Sequence, residues 1–151
     1  MKKFITALFI IAGTFAQAQE IKWMTLDEAL SAQKKVAKPI FMDVYTDWCG
    51  PCKMLDKQTF HDKEVVDYIN ANYYAVKFNA EGNSTVNYKG VKYANPQFMP
   101  DTQGRNAAHD FGQVLKIRGY PTMVVMDKKG EIANSIVGFR NSTQLIEELK
   151  K

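Results

Sequence analysis

Two cysteines with two residues between them, Cys49-Gly50-Pro51-Cys52, stand between a strand-like run and a helix-like run. That arrangement limits the fold more than any other feature of the chain. The run before them, Ile40 to Tyr45, is apolar and β-prone and is interrupted only by Asp43, so it reads as a strand buried on both faces. After them a helix can begin at Gly50, with Pro51 in its first turn where a missing N–H costs nothing. Val65, Val66 and Ile69 extend the helical spacing to about Ala71. The strand must therefore deliver Cys49 to the start of a helix, which requires an α/β architecture.

These are the only cysteines in the chain. Cys49 falls just before the helix, where unpaired N–H groups and the positive end of the macrodipole stabilise a thiolate. It is the expected nucleophile. A thiolate attacks a disulfide to give a mixed disulfide, and Cys52, one turn into the helix, is placed to resolve it. Three other readings compete. A structural bridge over two residues closes a small loop and gains little chain entropy. A zinc site needs about four ligands, whereas only His61 and His109 accompany the cysteines. Haem attachment needs histidine directly after the second cysteine, and residue 53 is lysine. The pair is expected to be redox-active, with no metal or other cofactor. His61 and His109 are expected at the surface or in local hydrogen bonds.

The remaining elements follow from period and caps. Thr25-Leu26-Asp27-Glu28 has capping-box spacing and opens a helix to about Lys35; Tyr73 to Asn79 reads as a strand. Glu81 to Gly104 is polar and without period, and reads as a long insertion or loop, although Tyr88, Tyr93 and Phe98 argue that it packs on something. A helix is expected over 105–117, strands over Thr122 to Met126 and on to about Val137 around a turn at Lys128-Lys129-Gly130, and a last helix from Asn141. This order predicts a central mixed β-sheet flanked by helices. Neither an internal repeat nor a low-complexity tract is present.

The first residues, Met1-Lys2-Lys3, then an apolar stretch from Phe4 to Phe15 and Ala16-Gln17-Ala18, have the form of a secretory signal peptide cleaved after Ala18. The stretch is shorter than the roughly 20 residues a membrane anchor needs, and no cysteine adjoins it for lipid attachment. Residues 1–18 are thus expected to be a leader and 19–151 a single domain outside the cytoplasm, with no stable membrane insertion. The full chain carries 20 basic and 16 acidic residues. Two of the lysines lie in the leader and the rest alternate with acids, so nothing points to nucleic acid.

The segment Phe41 to Lys53, containing Trp48-Cys49-Gly50-Pro51-Cys52 with an acid six residues before the first cysteine, resembles the thioredoxin family's first core strand and active site. The likeness extends over most of the chain from about Pro39. Lys57, Thr59-Phe60, Asp62 and Val65 look more like the exported branch, in particular the periplasmic thioredoxin-like domain of DsbD-type reductases. The resemblance implies a thioredoxin fold with an insertion at about 81–104. It makes Asp43 the buried carboxylate that accepts the proton of Cys52, a role that a desolvated, raised-pKa acid suits. Lys77 matches the family's lysine that pairs with that acid. Tyr120-Pro121-Thr122 matches the family's cis-proline turn, at which Tyr120 offers its backbone to an extended substrate. Trp48 matches the flanking tryptophan, and with Gly50 and Pro51 completes the implied substrate surface. The family's mid-helix proline is absent, with Lys57 in its place.

The function so implied is exported thiol–disulfide oxidoreduction. Gly50-Pro51 between the cysteines leans toward reduction of protein disulfides or mixed disulfides, recharged by a membrane electron donor. Net oxidation or isomerisation, and a partner-binding module with a permanently bridged pair, are the alternatives.

Overall fold

The structure, a computed structural model, describes residues 19–151; the predicted leader and its cleavage site lie outside the described residues. A five-stranded mixed sheet has β2 (Ile40–Tyr45) at its centre. Parallel to it runs β3 (Tyr74–Asn79), and β1 (Trp23–Met24) adds to the far side of β3. On the other side β6 (Thr122–Met126) and β7 (Ile132–Val137) run antiparallel. This is the mixed sheet that the sequence predicts, with one strand more, since β1 is too short for a period.

Alternation along β2 divides the core. Ile40, Met42 and Val44 face one side, where α1 (Leu26–Gln33) and α4 (Phe111–Val114) supply Leu26, Ala29 and Phe111. Phe41 faces the other, covered by α3 (Lys63–Asn72) and α5 (Ser142–Leu149) through Val65, Ile69, Leu145 and Ile146. The expected cap at Thr25 forms in full: its hydroxyl accepts the Glu28 N–H, and the Glu28 carboxylate accepts the Thr25 N–H. Asn141 and Gln144 make the equivalent box on α5.

Three elements differ from expectation. The single helix expected from Gly50 to Ala71 is divided into α2 (Gly50–Met54), a π-helical turn over Leu55–Thr59, and α3. The division holds because Asp62 caps α3, accepting the N–H groups of Glu64 and Val65. The helix expected over 105–117 shrinks to α4, because the backbone before it bonds elsewhere: Asn106 N–H to Glu81 and His109 N–H to the Ala80 carbonyl. The insertion is not structureless, since it contains a hairpin of β4 (Val86–Tyr88) and β5 (Val91–Tyr93). Its two-residue turn, Lys89-Gly90, has both residues at positive φ, as a tight hairpin of primed type requires.

The tyrosines of the hairpin do pack, as their presence suggested. Tyr88 and Tyr93 lie 5.5 and 5.3 Å from Phe111, which also meets Phe78 of the main sheet at 5.6 Å. Asn87 donates from both nitrogens to Asp27 on α1, and the Tyr88 hydroxyl donates to the Gly130 carbonyl. Phe111 thus joins the insertion to the sheet. Phe111→Ala is expected to cost about 3–5 kcal/mol, the range for truncating a buried aromatic, read as a lowered midpoint in urea denaturation.

Candidate active site

Cys49 is the N-cap of α2. Its backbone is extended (φ −75°, ψ 107°), and its sulfur accepts the Cys52 N–H at 3.1 Å. Pro51 stands in the first turn, as expected. The two cysteines are bridged, with Cα atoms 5.3 Å apart. Both are buried: Cys52 exposes 5% of its surface and Cys49 only 2%. Burial therefore does not distinguish them; only Cys49 has a sulfur that receives a helix N–H, the contact that lowers a thiol pKa once the bridge is open.

The cis-proline turn lies where the resemblance implied. Tyr120–Pro121 is cis, the Pro121 carbonyl accepts the Gly138 N–H, and the Thr122 hydroxyl donates to the Gly119 carbonyl. Tyr120 meets the Trp48 ring edge-on at 5.9 Å. The Trp48 indole N–H donates to Glu81 Oε2 at 2.8 Å, and the Asn106 N–H donates to the same oxygen. Gly50 and Pro51 are exposed beside this group. Glu81 and Asn106 were not singled out from sequence, because Glu81 opens a stretch without period, Asn106 falls in a run that reads as helix, and nothing local pairs the two.

Asp43 and Lys77 are register partners on β2 and β3, on the same face as Phe41. Asp43 is buried, with Oδ2 3.1 Å from Lys77 Nζ, while its Oδ1 has no hydrogen-bond partner. Burial pushes the Asp43 carboxyl up to about 6, against the pull of Lys77. For Lys77, burial acts downward, but Asp43 and Asp56 outweigh it and raise the ammonium above its ordinary value. Asp56 is the second carboxylate on this lysine, at 2.8 Å, and the rings of Tyr45, Trp23 and Phe60 surround it at 4.9, 5.2 and 5.7 Å. Asp56 is four residues beyond Cys52, a spacing that places two helical residues on one side. That spacing was the available signal. A cavity of about 390 Å³ lies beside the cysteine pair, lined by Cys52, Lys53, Asp56, Lys77 and Tyr45 among others.

The histidines are not brought to this site. His61 is exposed and bonds locally to the Asp56 carbonyl. His109 is buried: its Nδ1 accepts the Phe111 N–H, so Nε2 carries the proton and donates to the Ser84 carbonyl. Among the described residues no group of His, Cys, Asp and Glu is placed to hold a metal ion, and no helix is long and apolar enough to cross a membrane.

A family model described as a thioredoxin-like domain matches residues 26–151. Among similar proteins are the thiol:disulfide interchange protein DsbD of Pectobacterium atrosepticum, 29% identical over 123 residues and 80% of this chain, and that of Vibrio vulnificus, 25% identical over 148 residues and 90% of this chain. The chain spans about one fifth of these relatives, 18% and 20% of their length. Solved structures share the fold, the following two among them. The DsbH oxidoreductase superposes with a TM-score of 0.63 at 17% identity, covering 99% of this chain and 92% of that one. A candidate disulphide-isomerase from Bacteroides thetaiotaomicron superposes with a TM-score of 0.62 at 28% identity, covering 89% and 94%.

The raised pKa of Asp43 sets a pH dependence of stability. Between 3.8, the ordinary value, and about 6, the folded state holds a proton that the unfolded state has released, so stability falls as pH rises through this window. The span corresponds to on the order of 3 kcal/mol. Oxidised Asp43→Asn is expected to be more stable than the parent at pH 8 and to converge with it toward pH 4, measured by urea denaturation at each pH. A constant difference would show that Asp43 is not the titrating group.

Proposed function

Because the chain belongs to the thioredoxin-like domain family and carries a bridged CxxC pair, it is a thiol–disulfide oxidoreductase, and we propose that it acts outside the cytoplasm as a reductase of protein disulfides or mixed disulfides. The observation that carries the role assignment is the Cys52 N–H directed at the Cys49 sulfur. In the reduced protein the Cys49 thiolate attacks one sulfur of the substrate disulfide, forming a mixed disulfide while the other substrate sulfur leaves as a thiolate and takes a proton. Cys52 gives its proton to Asp43 and attacks the Cys49 sulfur. The second substrate thiol departs, and the protein is left with the Cys49–Cys52 bridge seen in the structure. Lys77 tunes Asp43. Trp48, Gly50, Pro51, Tyr120 and Pro121 form the face on which the substrate lies.

Export is supported by the leader-like residues 1–18, with 19–151 as the mature domain. The likeness to DsbD supports a periplasmic setting, disulfide-bonded exported proteins as substrates and a membrane electron donor that returns two electrons per cycle. Isomerisation is the second reading, favoured by the 28% identity to the Bacteroides protein. The reduction potential separates the two. A value near that of thioredoxin, about −270 mV, supports the reductase, one near that of protein disulfide isomerase, about −180 mV, supports the isomerase, and one near that of DsbA, about −120 mV, makes it an oxidant. A pair that no mild dithiol reduces reversibly supports a binding module.

Cys49→Ser is expected to abolish turnover, and Cys52→Ser to accumulate a mixed disulfide visible by mass. Trapping by Cys49→Ser alone reverses the assignment. Asp43→Asn is expected to slow release of that mixed disulfide near pH 7, and an unchanged pH–rate profile rules out Asp43 as the proton acceptor.

A further inference from the structure

The guanidinium of Arg105 lies 4.3 Å above the centre of the Trp48 ring. Arg105 belongs to the insertion side of the chain, far from Trp48 in sequence, and it is exposed. Its position is set from both sides. Gly104 before it adopts φ +90°, a conformation that side chains disfavour. Asn106 after it is held three times: its N–H on Glu81, its Oδ1 on the Met99 N–H, and its Nδ2 on the Met99 carbonyl. Glu81 is the same carboxylate that holds the Trp48 indole. One acid therefore fixes both the tryptophan beside the cysteines and the loop that carries the cation above it.

Stacking occupies the face of a guanidinium and leaves its edge N–H donors available. Among the described residues no carboxylate stands within ion-pair distance of Arg105, since the ion pairs there are made by Lys63, Lys77, Lys89 and Arg140. Glu81, which holds this loop, has its Oε2 taken by the indole and by Asn106. Arg105 is thus a positioned, charged fork with unused donors beside the redox pair. The matching group is a carboxylate, which accepts two such N–H bonds in one plane.

From this geometry we infer that Arg105 is a specificity-determining residue that selects peptide substrates with Asp or Glu close to the disulfide under attack. The inference rests on the exchange reaction proposed above and adds its substrate class. Because the pair is solvent-exposed, its effect on selection is modest, about two- to fivefold per contact at low salt, and declines as salt rises.

Three peptides carry the test, with identical sequence around one disulfide and flanked by Glu, Gln or Lys. With the reduced protein in excess, the second-order rate constant of the single exchange is expected to rank Glu above Gln above Lys at low salt, with the spread narrowing at 0.5 M salt. Arg105→Gln is expected to bring the Glu-to-Lys ratio toward one, Arg105→Glu to invert it, and Arg105→Lys to keep part of it. A parent that reduces all three peptides equally overturns the inference and leaves the proposed function standing. So does an Arg105→Glu ratio equal to the parent's, or a uniform fall on all three peptides, which would mark Arg105 as a support for Trp48 alone. Failure to exchange with any of the peptides overturns both readings.

Discussion

β2 is bonded along both edges and buried on both faces, and the rest of the molecule is arranged around that constraint. Its six residues pair in parallel with β3 and its first five in antiparallel with β6. A strand so held cannot slip by one residue, because a slip would turn Phe41 and Asp43 to the opposite face. Register then fixes the chemistry. Asp43 meets Lys77 across β2 and β3, and the strand's C-terminal end delivers Cys49 to the first turn of α2. On the neighbouring strand, Val44 pairs with Thr122, so the Pro121 turn arrives at the same end of the sheet.

Placing a carboxyl in that strand is costly for folding. Asp43 has one oxygen against an ammonium and another with no partner, and an unpaired buried acceptor opposes the folded state by roughly 1–3 kcal/mol. Lys77 offsets only part of this, because Asp56 competes for the same ammonium. An apolar residue at position 43 would pack at lower cost. Burial brings the Asp43 pKa to about 6, well above the ordinary carboxylate value, and the proton-acceptor role proposed for Asp43 draws on that shift. Strain of this kind concentrates at functional sites. Asp43 and Asp56 keep the Lys77 ammonium charged, and the rings of Tyr45, Trp23 and Phe60 add cation–π contacts to it.

How much was legible follows from the range over which each feature is determined. The Cys49–Cys52 pair, the buried strand before it, the capping box at Thr25 and the turn at Gly130 are local, and a few adjacent residues specify them. The break between α2 and α3 was also local, since Asp62 has the capping residue type, but the apolar spacing of Val65, Val66 and Ile69 masked it. The hairpin in the insertion was missed because Lys89 stands where Asn or Asp usually marks such a turn. Asn106 and His109 lost their expected helix to partners at Glu81, Ala80 and Ser84, roughly 25 residues earlier. No window of helical length contains that information. The site was legible where family resemblance supplied long-range pairs, as for Asp43 and Lys77, and illegible where the pairing reaches across the insertion, as for Arg105 and Trp48.

The insertion and the redox pair are one mechanical unit. Phe111 binds the hairpin to the sheet, His109 ties Ser84 to the start of α4, and Glu81 joins Asn106 to Trp48. Each link is buried or partly buried, so the rim of the active site is set by core packing and not by a free loop. A substrate approaching Cys49 therefore meets a surface whose shape and charge are ordered before it arrives. Ordering in advance removes the entropy cost of fixing those side chains on binding. In this chain the rim joins Trp48, beside the cysteine motif, to Glu81, Asn106 and Tyr120, well outside it.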